Sequence, residues 1–164
     1  KIYFDSIGYE YEGGGGGGGG CPILSVFNGE EYIEEGLLDI HVEEGGDDII
    51  KEYQLIINPE PMKGKYLLRL TEHHKTHSYI DQVQFMAKLE NGKEIFLPLV
   101  SAIHSDDGNV KRELLISDDV KTDIIGADLK EGSSEYIDLA FAALNGLKIV
   151  EYTFIIEGHN YIVK

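Results

Sequence analysis

The sequence predicts an all-β protein, a single jelly-roll-like β-sandwich of about nine or ten strands with a detached N-terminal strand. Three observations predict it. Short runs rich in β-branched and aromatic residues alternate with turn chemistry, and no stretch holds a helical period over three turns. Three Asn-Gly pairs, the strongest short hairpin signal, stand where strands should reverse: Asn28-Gly29, Asn91-Gly92 and Asn145-Gly146. Finally, an aromatic-rich segment at the start of the chain is cut off from everything else by eight consecutive glycines, Gly13 to Gly20.

In chain order, Ile2, Tyr3, Phe4, Ile7, Tyr9 and Tyr11 mark the strand-like arm, residues 1–12. The glycine tract, residues 13–20, is a tether without side chains to bury, and fully extended it reaches roughly 26–29 Å. The body, residues 21–164, opens at Cys21-Pro22. The first Asn-Gly pair predicts a hairpin joining Pro22–Phe27 to Glu31–Glu34, running on through Leu37–Val42. The second joins Ile80–Leu89 to Glu94–Ile103, and the third joins Tyr136–Leu144 to Leu147–Ile156. Between them Ile49–Ile57, Lys65–Glu72 and Val110–Ile116 read as further strands, and Asn160–Val163 as a last short one. A short stretch around Asp118–Ile125 is the one helix candidate. The alternation in Gln82–Leu89 and Tyr136–Phe141 sets one face of each strand in a core and the other in water.

Composition narrows the function classes. Thirty acidic against fourteen basic residues give a formal charge of −16, which repels nucleic acid and anionic lipid and favours divalent cations. No apolar run approaches the roughly 18–20 residues of a membrane-spanning helix. The chain begins at Lys1, as removal of a signal peptide would leave it, and this predicts secretion. Abundant Ile, Glu and Lys with no Trp is a balance met in thermophile proteins. Cys21 stands alone, so no internal disulfide forms; it reads as a small buried hydrophobe or as a thiol for an intermolecular bridge.

No catalytic constellation emerges, and no enzyme is expected. His73, His74 and His77 crowd a predicted strand-to-strand turn without the inserted Glu of a zinc-protease helix, and they read as a polar turn. Ser101, Ser105 and Ser117 lack a nucleophile elbow. The oxygen-rich turns Asp106-Asp107-Gly108-Asn109 and Asp118-Asp119 with Asp123 read either as solvated turns or as calcium sites, Asp47-Asp48 being a weaker case.

Cys21-Pro22-Ile23-Leu24, Glu35–His41 and Ser78–Val83 resemble a group of secreted archaeal β-sandwich proteins in which a glycine-rich stretch precedes a Cys-Pro strand. The layout, one acidic sandwich with a detached first strand, also resembles the tube- and filament-forming subunits of hyperthermophilic archaea, of the cannula and bundling-pilus type. That resemblance implies strand donation between copies of the chain, calcium support of assembly, and no catalytic residue. The expected function is an extracellular structural protein that polymerises head to tail through its arm. The alternative is a cell-surface module binding carbohydrate or calcium.

Overall fold

The structure, a computed structural model, describes residues 21–40, 51–116 and 121–162, with residues 161 and 162 described as backbone. The arm residues Ile2, Tyr3, Phe4, Ile7, Tyr9 and Tyr11, the glycine tether, Asp47-Asp48, Asp118 and Asp119 lie outside the described residues.

The chain forms an all-β sandwich of two antiparallel sheets. In the first sheet the order is β2 (Tyr32–Leu37), β1 (Ile23–Phe27), β4 (Lys65–Thr71), β10 (Tyr136–Ala142), β7 (Leu99–His104), β8 (Gly108–Asn109). The second runs β3 (Lys51–Ile57), β11 (Ile149–Ile162), β5 (Thr76–Leu89), β6 (Glu94–Leu97), with β9 (Thr122–Ile125) pairing the far end of β5. Alternation sets the facing: in β4 the buried positions are Tyr66, Leu68 and Leu70, with Leu67, Arg69 and Thr71 on the other face. The inner faces meet around Phe85, which is fully buried and packs its ring 5.6 Å from Tyr66, 5.3 Å from Phe141 and 5.5 Å from Tyr152. Burying a side chain of that size stabilises by about 1.5–3 kcal/mol.

The first two Asn-Gly turns close hairpins as expected, Phe27 facing Tyr32 and Lys88 facing Glu94. Gly29 and Gly92 take positive φ of 103° and 89°, the backbone conformation for which such turns select glycine.

Five expectations change. The expected strand Glu94–Ile103 is two strands, β6 and β7, in different sheets, because Pro98 has no N–H to extend a ladder and the chain crosses there. The third Asn-Gly turn is no hairpin: β10 pairs β4 and β7 while β11 pairs β3 and β5, so Gly146, at φ 77°, turns the chain from one sheet to the other. Where a strand was expected at Val110–Ile116, a one-turn helix α1 (Lys111–Leu114) sets fully buried Leu114 between β5 and β7. Conversely, Thr122–Ile125, within the Asp118–Ile125 helix candidate, is strand β9; its two β-branched isoleucines and threonine favour a ladder on β5. Asn160 belongs to the end of β11 and not to a separate tail strand.

The connections sort the sandwich into two unlike ends. All three Asn-Gly turns follow strands that end at one pole: β1, β5 and β10. The other pole gathers the end of β4, the starts of β5 and β10, and the end of β7, and with them His73, His74, His77, His104 and His159. Laterally, α1 packs against both sheets at β5 and β7, whereas β2 and β3 each have one ladder partner among the described residues.

Candidate functional site

The histidine pole is built from strand ends whose inward alternation continues into polar residues. After Tyr66, Leu68 and Leu70, the next inward position is Glu72, 2 % exposed. Its Oε1 accepts from the His73 amide and the Thr76 hydroxyl, both at 2.9 Å. Burial pushes the Glu72 carboxyl up to about 7, against hydrogen bonds from Ser78, Thr76 and the His73 amide that pull it down. His73 goes the other way: burial, with His74 and Lys75 beside it, lowers it to about 4, and its Nδ1 accepts the Lys75 amide at 3.1 Å.

On β7 the inward residue after Ala102 is His104, also buried. The amides of Asp106 and Asp107 both donate to its Nδ1 at 3.0 Å, so the ring carries its proton on Nε2, 2.8 Å from the Asp123 carbonyl oxygen and 3.4 Å from Glu135 Oε1. Glu135 accepts the Ile125 amide at 3.0 Å. The whole pole is therefore cross-braced: one imidazole shapes the β7–β8 turn and ties it to β9, and Glu135 ties β9 to the start of β10. The serines here serve the backbone, Ser105 accepting from the Tyr136 amide and Ser134 from the Ala127 amide.

Of the acidic residues expected to hold calcium, Asp106 is bound by the Lys130 ammonium at 3.0 Å, which draws its carboxyl below the usual range. Asp123 is paired at 3.0 Å with His77 Nε2, and Asp107 lies 3.9 Å from His104 Nδ1. Among the described residues no three His, Cys, Asp or Glu side chains converge on a point where a metal ion could sit. Described Asp106, Asp107 and Asp123 do not by themselves form a cation cage.

At the other pole, between the edge strand β2 and the connection that follows β3, runs a groove of about 260 Å³, lined by Val26, Phe27, Ile33, Pro59 and Met62 and by polar residues that include Glu35 and Glu60. Ile33 is 40 % exposed on that edge, and burial raises the carboxyl of Glu35. The volume lies below the roughly 300–1,000 Å³ of pockets that enclose small molecules. A side chain or two of an extended peptide suits it better.

Sequence reasoning missed Glu72, Glu135 and the groove. The first was signalled by the period-two continuation of β4 into its turn; the groove carries no local signal, since its lining comes from three separate segments. Also unforeseen is Arg69 on the outer face of the first sheet, held at 2.6 Å by Asp138 and lying 4.1 Å from the centroids of both Tyr32 and Tyr136. Among the described residues no helix is long and apolar enough to cross a membrane. No protein-family model, curated protein or solved structure matches the chain.

Proposed function

We propose that the protein is a non-enzymatic, extracellular structural subunit that polymerises by donating Ile2–Tyr11 to a sheet edge of a neighbouring copy. One observation carries the reading: along one flank of the sandwich both sheets end in strands, β2 and β3, whose outer sides have no ladder partner among the described residues, with a groove beside Ile33 of β2. An unpaired edge is a template for an added strand, and the chain carries a strand-like segment on a long tether. Because the donated segment and its acceptor are different surfaces, the contact is heterologous and propagates as a filament or tube when the rotation does not close.

In this reading calcium acts as a counter-ion between packed subunits, offsetting repulsion at −16 per copy. A carbohydrate-binding module, the alternative, would draw on Tyr32 and Tyr136, but both rings already flank Arg69.

Deleting residues 1–12 tests the proposal. The expected product is a folded monomer by circular dichroism and light scattering, with no polymers in electron micrographs. Polymers of unchanged form from the truncated chain would overturn strand donation.

A further inference from the structure

We propose that Asn145-Gly146 is a site of spontaneous covalent modification, at which the folded chain converts Asn145 to aspartate and isoaspartate while Asn28 and Asn91, each also followed by glycine, are protected. The only co-reactant is water. The Gly146 amide nitrogen attacks Cγ of the Asn145 side chain; the bond from that nitrogen to Cγ forms, the bond from Cγ to Nδ2 breaks, and ammonia leaves with the proton that the amide gives up. Water then opens the cyclic imide. Attack at the side-chain carbonyl gives aspartate, and attack at the main-chain carbonyl gives isoaspartate, with the backbone now routed through Cγ. Nothing is oxidised or reduced. Asparagine is thermolabile, and a following glycine leaves the attacking nitrogen unshielded, so the sequence by itself ranks the three pairs as equals.

The structure ranks them differently. Ring closure requires the pair to leave its turn conformation and bring Cγ onto the next nitrogen, so a hydrogen bond that fixes the asparagine side chain or the glycine amide slows it. At Asn28, Oδ1 accepts the amides of Glu30 and Glu31 at 2.8 and 2.9 Å, and the Asn28 amide donates to the Glu31 carbonyl at 3.0 Å. At Asn91, Oδ1 accepts the Lys93 amide at 2.9 Å. There the nucleophile itself is engaged, the Gly92 amide donating to the Leu89 carbonyl at 2.8 Å. Both pairs also lie inside hairpins whose strands are in register on either side.

Asn145 has none of these restraints. Among the described residues neither its side chain nor the Gly146 amide makes a hydrogen bond. The flanking anchors are the Ala143 amide, which donates to the Gly64 carbonyl at 2.9 Å, and the Lys148 carbonyl, which accepts the Glu90 amide at 2.9 Å. From Leu144 to Lys148 every residue is exposed, and a methyl group at Gly146 would meet nothing within 4 Å, so the turn has room to rearrange. Isoaspartate lengthens the main chain by a methylene. A crossing between two sheets absorbs that more easily than a hairpin held in register, so the modified protein stays folded and carries one further negative charge.

Ageing the full-length protein in mildly alkaline buffer tests the assignment, with peptide mapping by mass spectrometry at intervals and a parallel sample in concentrated urea. In the folded protein, conversion at Asn145 is expected to run about tenfold ahead of Asn28 and Asn91, which corresponds to about 1.4 kcal/mol of hydrogen bonding to be released at each hairpin. In urea the three rates should come together. The isoaspartyl form should elute later on anion exchange and keep the circular dichroism of fresh protein. Equal rates at the three sites of the folded protein, or faster conversion at Asn28 or Asn91, overturn the assignment. The same ranking in urea also overturns it, because the difference would then come from local sequence and not from the fold.

Discussion

The two poles of this sandwich are finished differently. At the histidine pole the strands end in buried polar residues that accept from the turns around them: Glu72 anchors the β4–β5 turn, His104 the β7–β8 turn, and Glu135 links β9 to β10. At the Asn-Gly pole the chain turns in short loops, and a groove lies between β2 and the connection after β3. Buried polar networks fix a geometry because any displacement strands a donor or acceptor at a cost of about 1–3 kcal/mol. The difference between a braced pole and a looser one is what the experiments below probe.

The sharpest test of this contrast is one substitution made at both poles. A methyl at Gly126 would overlap the His73 carbonyl oxygen, and backbone cannot swing away, so Gly126→Ala should cost ~3 kcal/mol or more. Gly146→Ala, in open space but at φ 77°, should cost only ~1 kcal/mol. Thermal or urea melts compare the two; equal losses would mean that the histidine pole is no tighter than the other.

Next in size is the pH response of the buried carboxyl. Glu72 has its folded pKa raised to about 7, so its contribution to stability is complete below about 4.5 and is lost as pH rises through 7. His73, lowered to about 4, has the opposite sign: its contribution is present above about 6.5 and lost as pH falls toward 4. Comparison of wild type with Glu72→Gln isolates the first term. Relative to the variant, the wild type should weaken by about 3 kcal/mol between pH 4.5 and 8, at about 1.4 kcal/mol per pKa unit. A difference flat in pH would show that Glu72 is not buried as a carboxyl.

At the Asn-Gly pole the expectation reverses, with little stability at stake and assembly lost. Ile33→Asp sits on a half-exposed edge and should shift the free energy of unfolding by less than about 0.5 kcal/mol. It should nonetheless abolish polymers, because an ionised carboxylate in the groove opposes an apolar occupant. Retention of polymers would remove the groove from the mechanism. The smallest effect is calcium: low millimolar calcium should raise assembly beyond a sodium salt of matched ionic strength. Asp106→Ala/Asp107→Ala should trim that excess only modestly, since Asp106 already has Lys130. A chelator titration without effect would confine the cation to screening.

Much of this fold was legible without coordinates. Alternation in β4, β5 and β10 announces which face is buried, because a side chain's face follows from the two-residue period of the strand itself. Asn28-Gly29 and Asn91-Gly92 announce hairpins, since positive φ is a property of the turn residue. Composition alone supplied the charge.

What the tertiary structure decided is everything that depends on a choice between partners. Asn145-Gly146 turns as its residues require, yet which sheet β11 joins depends on β3 and β5, distant in sequence. Lys111–Leu114 became helix because the space between β5 and β7 accepts Leu114, against a run that reads as strand. Glu72 and His104 are ordinary polar residues at strand ends until two turns close over them, and Ile33 and Met62 are unrelated until two sheets stack. Local conformation is written in neighbouring residues; burial, register partners and grooves arise from segments far apart in sequence, which only the packed chain brings together.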